Sequence, residues 1–226
     1  MSRLALILER QWLHFGGLAL LLVGLERVGR AESFGRGSLA SLSSSEWAAL
    51  AVGLAVAHQV LVWFCWRTEL HAGLLSRLAG EAGFVVYAIL FSILGIARTV
   101  AVWCLAIANQ GTVDLAASIR RPVAILLLLP ALYLFYSVKR YFGFRRAFGA
   151  DHFDASYRTM GLVREGIFRF TSNGMYVCGF LILWVPGLWW GSTAALSVAL
   201  FNHLYIWLHY YSTERPDMDR IYGPKG

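Results

Sequence analysis

The residue types that could do chemistry are concentrated in two stretches near the carboxyl end. The first, GLVREGIFRFTSNGMYVCGF at 161–180, holds four glycines, two arginines, a glutamate and an asparagine directly before an apolar run. The second, HYYSTERPDMDRIYG at 209–223, follows the last apolar run. Glycines let backbone groups approach a ligand closely, and a carboxylate binds cationic groups. A simple loop needs no such composition, so both stretches are candidates for a binding site.

The rest of the chain is dominated by apolar side chains. It has 226 residues, of which 58% are hydrophobic and 15% charged, and its mean hydropathy is +0.58. A soluble domain of this size could not cover so much apolar surface with so few charges. Apolar runs near the length needed to cross a bilayer recur along the chain. The sequence therefore predicts an all-α, polytopic transmembrane helix bundle.

Six membrane spans are predicted from these runs. They lie at about 11–25, 47–66, 84–108, 122–138, 175–190 and 193–211. The connection PGLWWG leaves room only for a tight hairpin, which returns the chain to the same face and makes the two polar stretches neighbours. Glu9 and Arg10 interrupt the place where the apolar core of a signal peptide would run, so the first span is expected to remain. Residues 1–138 and 139–226 are predicted as two parts of one membrane domain.

Basic residues predict the orientation, because cytoplasmic loops carry an excess of lysine and arginine. With a cytoplasmic amino terminus, 14 of the 20 basic residues fall on the cytoplasmic side, five on the other side and one within a span. The five are Arg27, Arg30, Arg36, Arg120 and Arg121, and the one within a span is Arg98. Both termini, Lys225 included, and the 139–174 segment are therefore expected in the cytoplasm. A bacterial inner membrane is favoured over the endoplasmic reticulum.

Metal and disulfide chemistry are not predicted. Cys65, Cys104 and Cys178 are widely spaced, and the six histidines include no HExxH or HxxxH pair. Arg98 lies near the middle of a predicted span, where a charge is costly. It is expected to be functional unless it snorkels or pairs with a carboxylate.

The first polar stretch also carries a family resemblance. LVREGIFRFTSNGMYVCG is similar to the pattern L-V-x-x-G-x-Y-R-x-x-R-H-P-x-Y-x-G of isoprenylcysteine carboxyl methyltransferases. The retained positions are Leu162, Val163, Gly166, Arg169 and Tyr176, and Phe168 stands for the first tyrosine.

Three segments resemble phosphatidylethanolamine N-methyltransferases more closely still. They are GFRRAFGADHF at 143–153, SNGMY at 172–176 and TERPDMDRIYG at 213–223. Together they cover about 80 residues in the order that the family shows. The chain thus resembles the superfamily of integral-membrane methyltransferases.

The resemblance implies that S-adenosylmethionine binds from the cytoplasm and that a lipophilic acceptor arrives through the bilayer. The implied cofactor-binding positions are Leu162, Val163, Gly166, Phe168, Asn173, Gly174, Met175, Tyr176, Glu214 and Arg215. Asn173 is expected to cap a helix that begins at Gly174. Glu214 is expected to bind the ammonium or ribose hydroxyls of the cofactor.

The acceptor implied first is the amine of phosphatidylethanolamine, which must lose a proton before it can attack. His152, His209 and Glu214 are the predicted catalytic residues, and Asp151 is a further candidate base. The alternatives are carboxyl methylation of isoprenylcysteine or another small lipophile, a sterol-reductase-like enzyme using NADPH, and a non-enzymatic scaffold. The glycine-rich turn could also be turn and cap chemistry alone, with His203 and His209 hydrogen-bonded inside the bundle.

Overall fold

The computed structural model describes residues 2–223, which are mostly helical. The α-helices are α1 (Arg3–Ile7), α2 (Gln11–Gly29), α3 (Glu32–Gly35), α4 (Ser44–Ala72), α5 (Leu74–Ala79), α6 (Ala82–Ala108), α7 (Ala117–Ser137), α8 (Phe144–Ala147), α9 (Gly174–Val177), α10 (Trp184–Trp190), α11 (Thr193–His209) and α12 (Arg215–Tyr222). Two-residue strands, β1 (Ser38–Leu39) and β2 (Leu42–Ser43), form an antiparallel hairpin. Helical turns of the π type follow α7 at Val138–Phe142 and α11 at Tyr210–Glu214.

Within residues 2–223, four helical stretches are long and apolar enough to cross a membrane. They are Arg3–Gly29, Ser44–Ala72, Ala82–Ala108 and Ala117–Phe142. The fifth and sixth predicted spans correspond to a shorter pair, Gly174–Trp190 and α11. The all-α polytopic bundle predicted from the sequence is thereby confirmed.

The shorter pair forms the predicted tight hairpin. Gly191 adopts a left-handed conformation with φ +67°, and the hydroxyl of Ser192 then accepts a hydrogen bond from Ala195 N at 3.0 Å to begin α11. A Cβ at Gly187 would lie 2.8 Å from a methyl carbon of Leu196, so α10 and α11 pack with almost no space between them. Glycine is suited to both positions because it lacks a Cβ.

Alanines fill the centre of the bundle where α4, α6 and α11 meet. The fully or nearly fully buried ones are Ala51, Ala55, Ala101, Ala106, Ala194, Ala195 and Ala199. Small side chains at a helix contact let backbones approach closely, which favours helix association in a membrane through van der Waals contact.

One end of the bundle is tied together by the side chain of Asn109, and we call it the Asn109 end. Its Nδ2 donates to the carbonyls of Ser33, Phe34 and Arg36 at 2.8–3.2 Å. Its Oδ1 accepts from Thr112 Oγ1, Ser192 Oγ and Ala194 N at 2.9–3.0 Å. A single buried amide thereby joins the chain before β1, the end of α6 and the start of α11.

The opposite end gathers both described ends of the chain and the 139–173 segment, and we call it the Arg67 end. Arg220 forms an ion pair with Glu9, and Trp66 Nε1 donates to Phe148 O at 3.3 Å. These contacts agree with the predicted placement of both termini and 139–174 on one face. Lys225 lies outside the described residues, and the membrane side that this face occupies stays a prediction.

Candidate functional site

A cavity of about 170 Å³ lies inside the bundle at the Arg67 end, and we call it the inner cavity. Helices α4 and α6 contribute His58, Gln59, Val62, Trp66, Phe91 and Arg98 to its wall. The later part of the chain contributes Phe142, Arg146, Ala147, Gly149, Asp151, Met175, Tyr176, Phe180, Ile206, His209, Glu214 and Met218. Residues from both 1–138 and 139–226 therefore line this cavity, whereas the sequence predicted site residues in 139–226 alone.

Four of the predicted site residues meet on this wall: Met175, Tyr176, His209 and Glu214. The ring of Tyr176 is held by Trp207 and Tyr210, with ring centroids 5.9 and 5.6 Å away. Glu214 ends the π turn that follows α11. Because a π turn adds a residue to the helical repeat, it re-aims the residues after it, and such turns are frequent at functional sites.

Leu162, Val163 and Phe168, by contrast, line a separate open depression of about 760 Å³, which we call the outer basin. Phe168 stacks on Phe142 with ring centroids 4.8 Å apart, and Phe142 also lines the inner cavity. The outer basin and the inner cavity are therefore adjacent, and the rings of Phe142 and Phe168 lie between them. The structure does not bring Leu162 and Val163 to the wall where Tyr176 and Glu214 lie.

The predicted role of Gly166 and Gly174 in backbone approach to a ligand stays a prediction, and the structure shows a packing role for both glycines. Gly166 has φ +59°, and a Cβ there would lie 2.5 Å from Ser137 Oγ, which itself accepts from Ile167 N at 3.0 Å. A Cβ on Gly174 would lie 3.1 Å from a methyl carbon of Ile167. Both glycines thus permit packing of the 166–174 turn onto its own chain. A change of Gly166 to valine would disturb the fold and is no clean test of ligand binding.

The predicted cap by Asn173 is wrong. Its side chain makes no capping hydrogen bond to α9, whereas its backbone N donates to Thr171 Oγ1 at 3.2 Å. With ψ at 32° the residue also departs from the extended backbone typical of a cap. Arg215 is exposed just beyond the inner cavity, at the first position of α12.

A buried charged cluster beside the cavity was missed by the sequence analysis. Arg67, with 0% of its side chain exposed, places Nε 2.8 Å from Oδ2 of the equally buried Asp217. Other guanidinium nitrogens of Arg67 donate to Leu6 O at 2.5 Å and to Ser212 O and Thr213 O at 3.2–3.3 Å. One side chain thereby joins α4, the amino-terminal segment and the π turn that carries Glu214.

His152 extends this cluster. Its Nε2 lies 3.5 Å from Asp217 Oδ2 and its Nδ1 lies 3.0 Å from Asp151 Oδ1, while its ring stacks on Trp66 at 4.2 Å. Burial disfavours a charged imidazole, but the two carboxylates outweigh it and raise the pKa of His152 to about 9. A protonated, fully buried histidine cannot accept a further proton. His152 lies beside the inner cavity rather than on its wall, and its predicted catalytic role stays a prediction.

Asp151 is held on the cavity wall by the same cluster. The hydroxyl of Tyr222 donates to its Oδ2 at 2.9 Å, and Arg146 donates to the Tyr222 oxygen at 3.2 Å. Burial opposes ionisation of Asp151, yet hydrogen bonds from His152 and Tyr222 lower the pKa of its carboxyl below the ordinary value. Asp151 is thus a fixed carboxylate that links α12 to the 139–173 segment.

Two histidines on the cavity wall have no hydrogen-bond partner among residues 2–223. His58 and His209 are 4% and 1% exposed, and neither ring nitrogen of either one bonds to any side chain or backbone group in the described part of the chain. His203, in contrast, accepts from Trp184 Nε1 at 3.2 Å, as the bundle interpretation predicted. Buried polar groups are usually paired, so these imidazoles can bond to water or to a ligand in the cavity.

The carboxyl-terminal half of the chain matches a known family. The family model described as phospholipid methyltransferase matches residues 119–225. The match covers slightly less than half of the chain, and this segment is similar to that family. No curated protein and no solved structure gave a match to the chain.

The match fits the long apolar helices and supports an integral-membrane methyltransferase, as the motifs predicted. It includes Tyr176, His209 and Glu214, but His58 and Arg98 lie in the part of the chain before it. No group of three or more histidine, cysteine, aspartate or glutamate side chains within residues 2–223 is arranged to hold a metal ion.

Proposed function

We propose that the protein transfers a methyl group from S-adenosylmethionine to the amine of phosphatidylethanolamine in the membrane. The observation that carries the proposal is the convergence of Tyr176, His209 and Glu214 on one cavity inside the matched domain. The 14 basic residues counted for one face support an Arg67 end that faces the cytoplasm, where a soluble cofactor would enter. A bacterial inner membrane is the proposed location.

The residues of the inner cavity fit the chemistry of this cofactor. A carboxylate, Glu214, and the aromatic ring of Tyr176 suit a molecule that carries a sulfonium and an ammonium. The unpaired nitrogens of His58 and His209 offer hydrogen bonds to its polar groups or to the acceptor. When bound, S-adenosylmethionine supplies an electrophilic methyl group.

The remaining work falls to the chain's own residues. Glu214, held by the π turn that Arg67 anchors, orients a cationic group, and much of the rate enhancement comes from such positioning. The imidazole of His209 lies on the same wall without a partner in residues 2–223 and is placed to accept the proton of the acceptor amine. The apolar rings of Trp66 and Phe91 limit water in the cavity.

Binding measurements test the cofactor assignment directly. Isothermal titration of the purified protein with S-adenosylhomocysteine should give saturable binding, and titration with NADPH should give none. The opposite result would favour a sterol-reductase-like enzyme. Transfer of labelled methyl groups to phosphatidylethanolamine vesicles then tests the acceptor, with a prenylated cysteine as the alternative substrate.

Glu214→Gln tests the residue on which the site depends most. Loss of a charge-assisted hydrogen bond costs roughly 1.5–3 kcal/mol, so affinity for S-adenosylhomocysteine should fall by about one to two decades. Methyl transfer should fall in parallel. Asp219→Asn, on the same helical tail, is the matched control and should leave both unchanged. Binding and turnover of Glu214→Gln at the parent's level would contradict the proposed site.

A further inference from the structure

Arg98 is a buried cation without a carboxylate partner. The residue is 9% exposed, lies within the long apolar helix α6, and forms no ion pair with any carboxylate among residues 2–223. Its Nε has no hydrogen-bond partner in that range, and its guanidinium carbon lies 5.1 Å from the ring centroid of Phe180. A cation at membrane depth is costly, and a ring face compensates for only part of that cost. Residues 2–223 therefore provide no carboxylate counterion for Arg98.

The position of Arg98 indicates where the counterion would come from. It lines the inner cavity and also a second space of about 480 Å³, which we call the lateral groove. The groove runs between α6 and α7 and is lined mostly by apolar side chains such as Leu134, Val138 and Ile182. Ile96 and Phe135, which also line it, are 66% and 49% exposed on the apolar face of the bundle. The groove thus opens towards the bilayer.

We propose that Arg98 binds the phosphodiester of the acceptor phospholipid, with acyl chains in the lateral groove and the headgroup amine in the inner cavity. This inference rests on the proposed function and names its substrate class. The guanidinium matches two phosphate oxygens at once, and such a pair is strong where water is excluded. His58 of α4 also lines both spaces, and its ring packs against Gly95, which precedes Arg98 by three residues on α6. Its ring nitrogens have no hydrogen-bond partner among residues 2–223, so the imidazole can donate to the same anion.

A carboxylate of the cofactor shares this anionic chemistry, but the groove favours the lipid. The cofactor is soluble and enters from the polar end, where Glu214 and Asp151 lie. An anion that reaches Arg98 along an apolar groove must instead carry an apolar body. A phospholipid has that form, with two acyl chains attached to a single phosphodiester.

The test compares acceptors with and without a phosphate. Parent and Arg98→Gln proteins in lipid nanodiscs would be assayed for methyl transfer to phosphatidylethanolamine and to a long-chain alkylamine. Loss of one charge-assisted contact predicts a fall of about ten- to a hundredfold in kcat/KM for phosphatidylethanolamine. Activity on the alkylamine and affinity for S-adenosylhomocysteine should stay within about twofold of the parent's. Arg98→Lys should recover part of the loss, because it keeps the charge but not the planar fork.

Arg121→Gln provides a matched control. Arg121 also packs over an aromatic ring, Trp189, at 5.5 Å, but it lies exposed near the Asn109 end. This variant should behave as the parent with both acceptors. A loss of S-adenosylhomocysteine binding in Arg98→Gln would overturn the proposal and assign Arg98 to the cofactor carboxylate. An equal loss with both acceptors in both Arg98 variants would also overturn it, since it would indicate a structural role.

A lipid-binding measurement keeps the site testable even without turnover. Native mass spectrometry would count phosphatidylethanolamine and diacylglycerol retained by the parent and by Arg98→Gln. Selective loss of the phospholipid in the variant supports the site even if no methyl transfer occurs, in which case only the proposed function fails. Equal retention of phosphatidylethanolamine by both proteins would refute the anion site.

Discussion

The two ends of the bundle join distant parts of the chain through different kinds of polar contact. At the Asn109 end, a neutral amide satisfies three carbonyls and three donors from separate parts of the chain. At the Arg67 end, charged groups do the joining: Arg67, Asp217, His152 and Asp151 are all buried. The neutral end encloses tightly packed alanines, whereas the charged end encloses the inner cavity.

The difference shows that a buried neutral amide can join helices at one end of the bundle, where the nearby cation, Arg120, is only partly buried and donates to Leu188 O at 2.9 Å. A neutral hydrogen-bond network does so without the desolvation cost that buried ions carry. The buried charges at the Arg67 end therefore need a reason other than closing the bundle, and they lie beside Glu214. We interpret the cluster as the support that holds α12 and the π turn against α4. Three predictions test this contrast between the ends.

The largest effect is expected from Asp217→Asn. Arg67 would remain buried opposite an uncharged group, and breaking a buried ion pair typically costs about 3–5 kcal/mol. The free energy of unfolding, measured by denaturant titration in mild detergent, should fall by that order. Asp219→Asn is the control. If both changes lowered the free energy of unfolding equally, the buried charged cluster would not be what holds α12 against α4.

A smaller, pH-dependent effect is expected from His152→Gln. Because the folded pKa of His152 is raised to about 9 from an ordinary value near 6.5, its contribution is fully present below pH 6.5 and is lost as pH rises through 9. The shift corresponds to roughly 3 kcal/mol. The parent should therefore lose stability between these pH values, whereas His152→Gln should lose much less. Parallel pH profiles would show that the histidine is neutral in the folded protein.

The smallest effect is expected at the neutral end. Asn109→Ala leaves buried donors and acceptors unpaired, which costs about 1–3 kcal/mol. This loss should be the same at pH 6 and pH 9, and affinity for S-adenosylhomocysteine should not change. Gln110→Ala, at an exposed neighbouring position, is the control. A loss of cofactor affinity in Asn109→Ala would show that the two ends are coupled. It would contradict the separate roles assigned to them.

The apolar pattern of the sequence determined much of the architecture. Hydropathy located the spans, because a helix must present some twenty apolar residues to cross a bilayer. The short link at PGLWWG and its glycine determined the hairpin, and the hairpin placed Tyr176 near Glu214. The motif resemblance agreed with the family match over residues 119–225.

Only the tertiary structure decided which polar groups face the cavity and which support it. The family resemblance implied a cofactor contact for Gly166, and only the structure shows that its missing Cβ accommodates Ser137, 29 positions earlier in the chain. Asp217 lies in the second polar stretch without a role assigned from the sequence, and the packing of α12 places it against Arg67. His58 and Arg98 lay in spans that composition alone could not orient. The burial of a side chain and its hydrogen-bond or ion-pair partners depend on residues distant in sequence. The local sequence pattern therefore predicts neither of them.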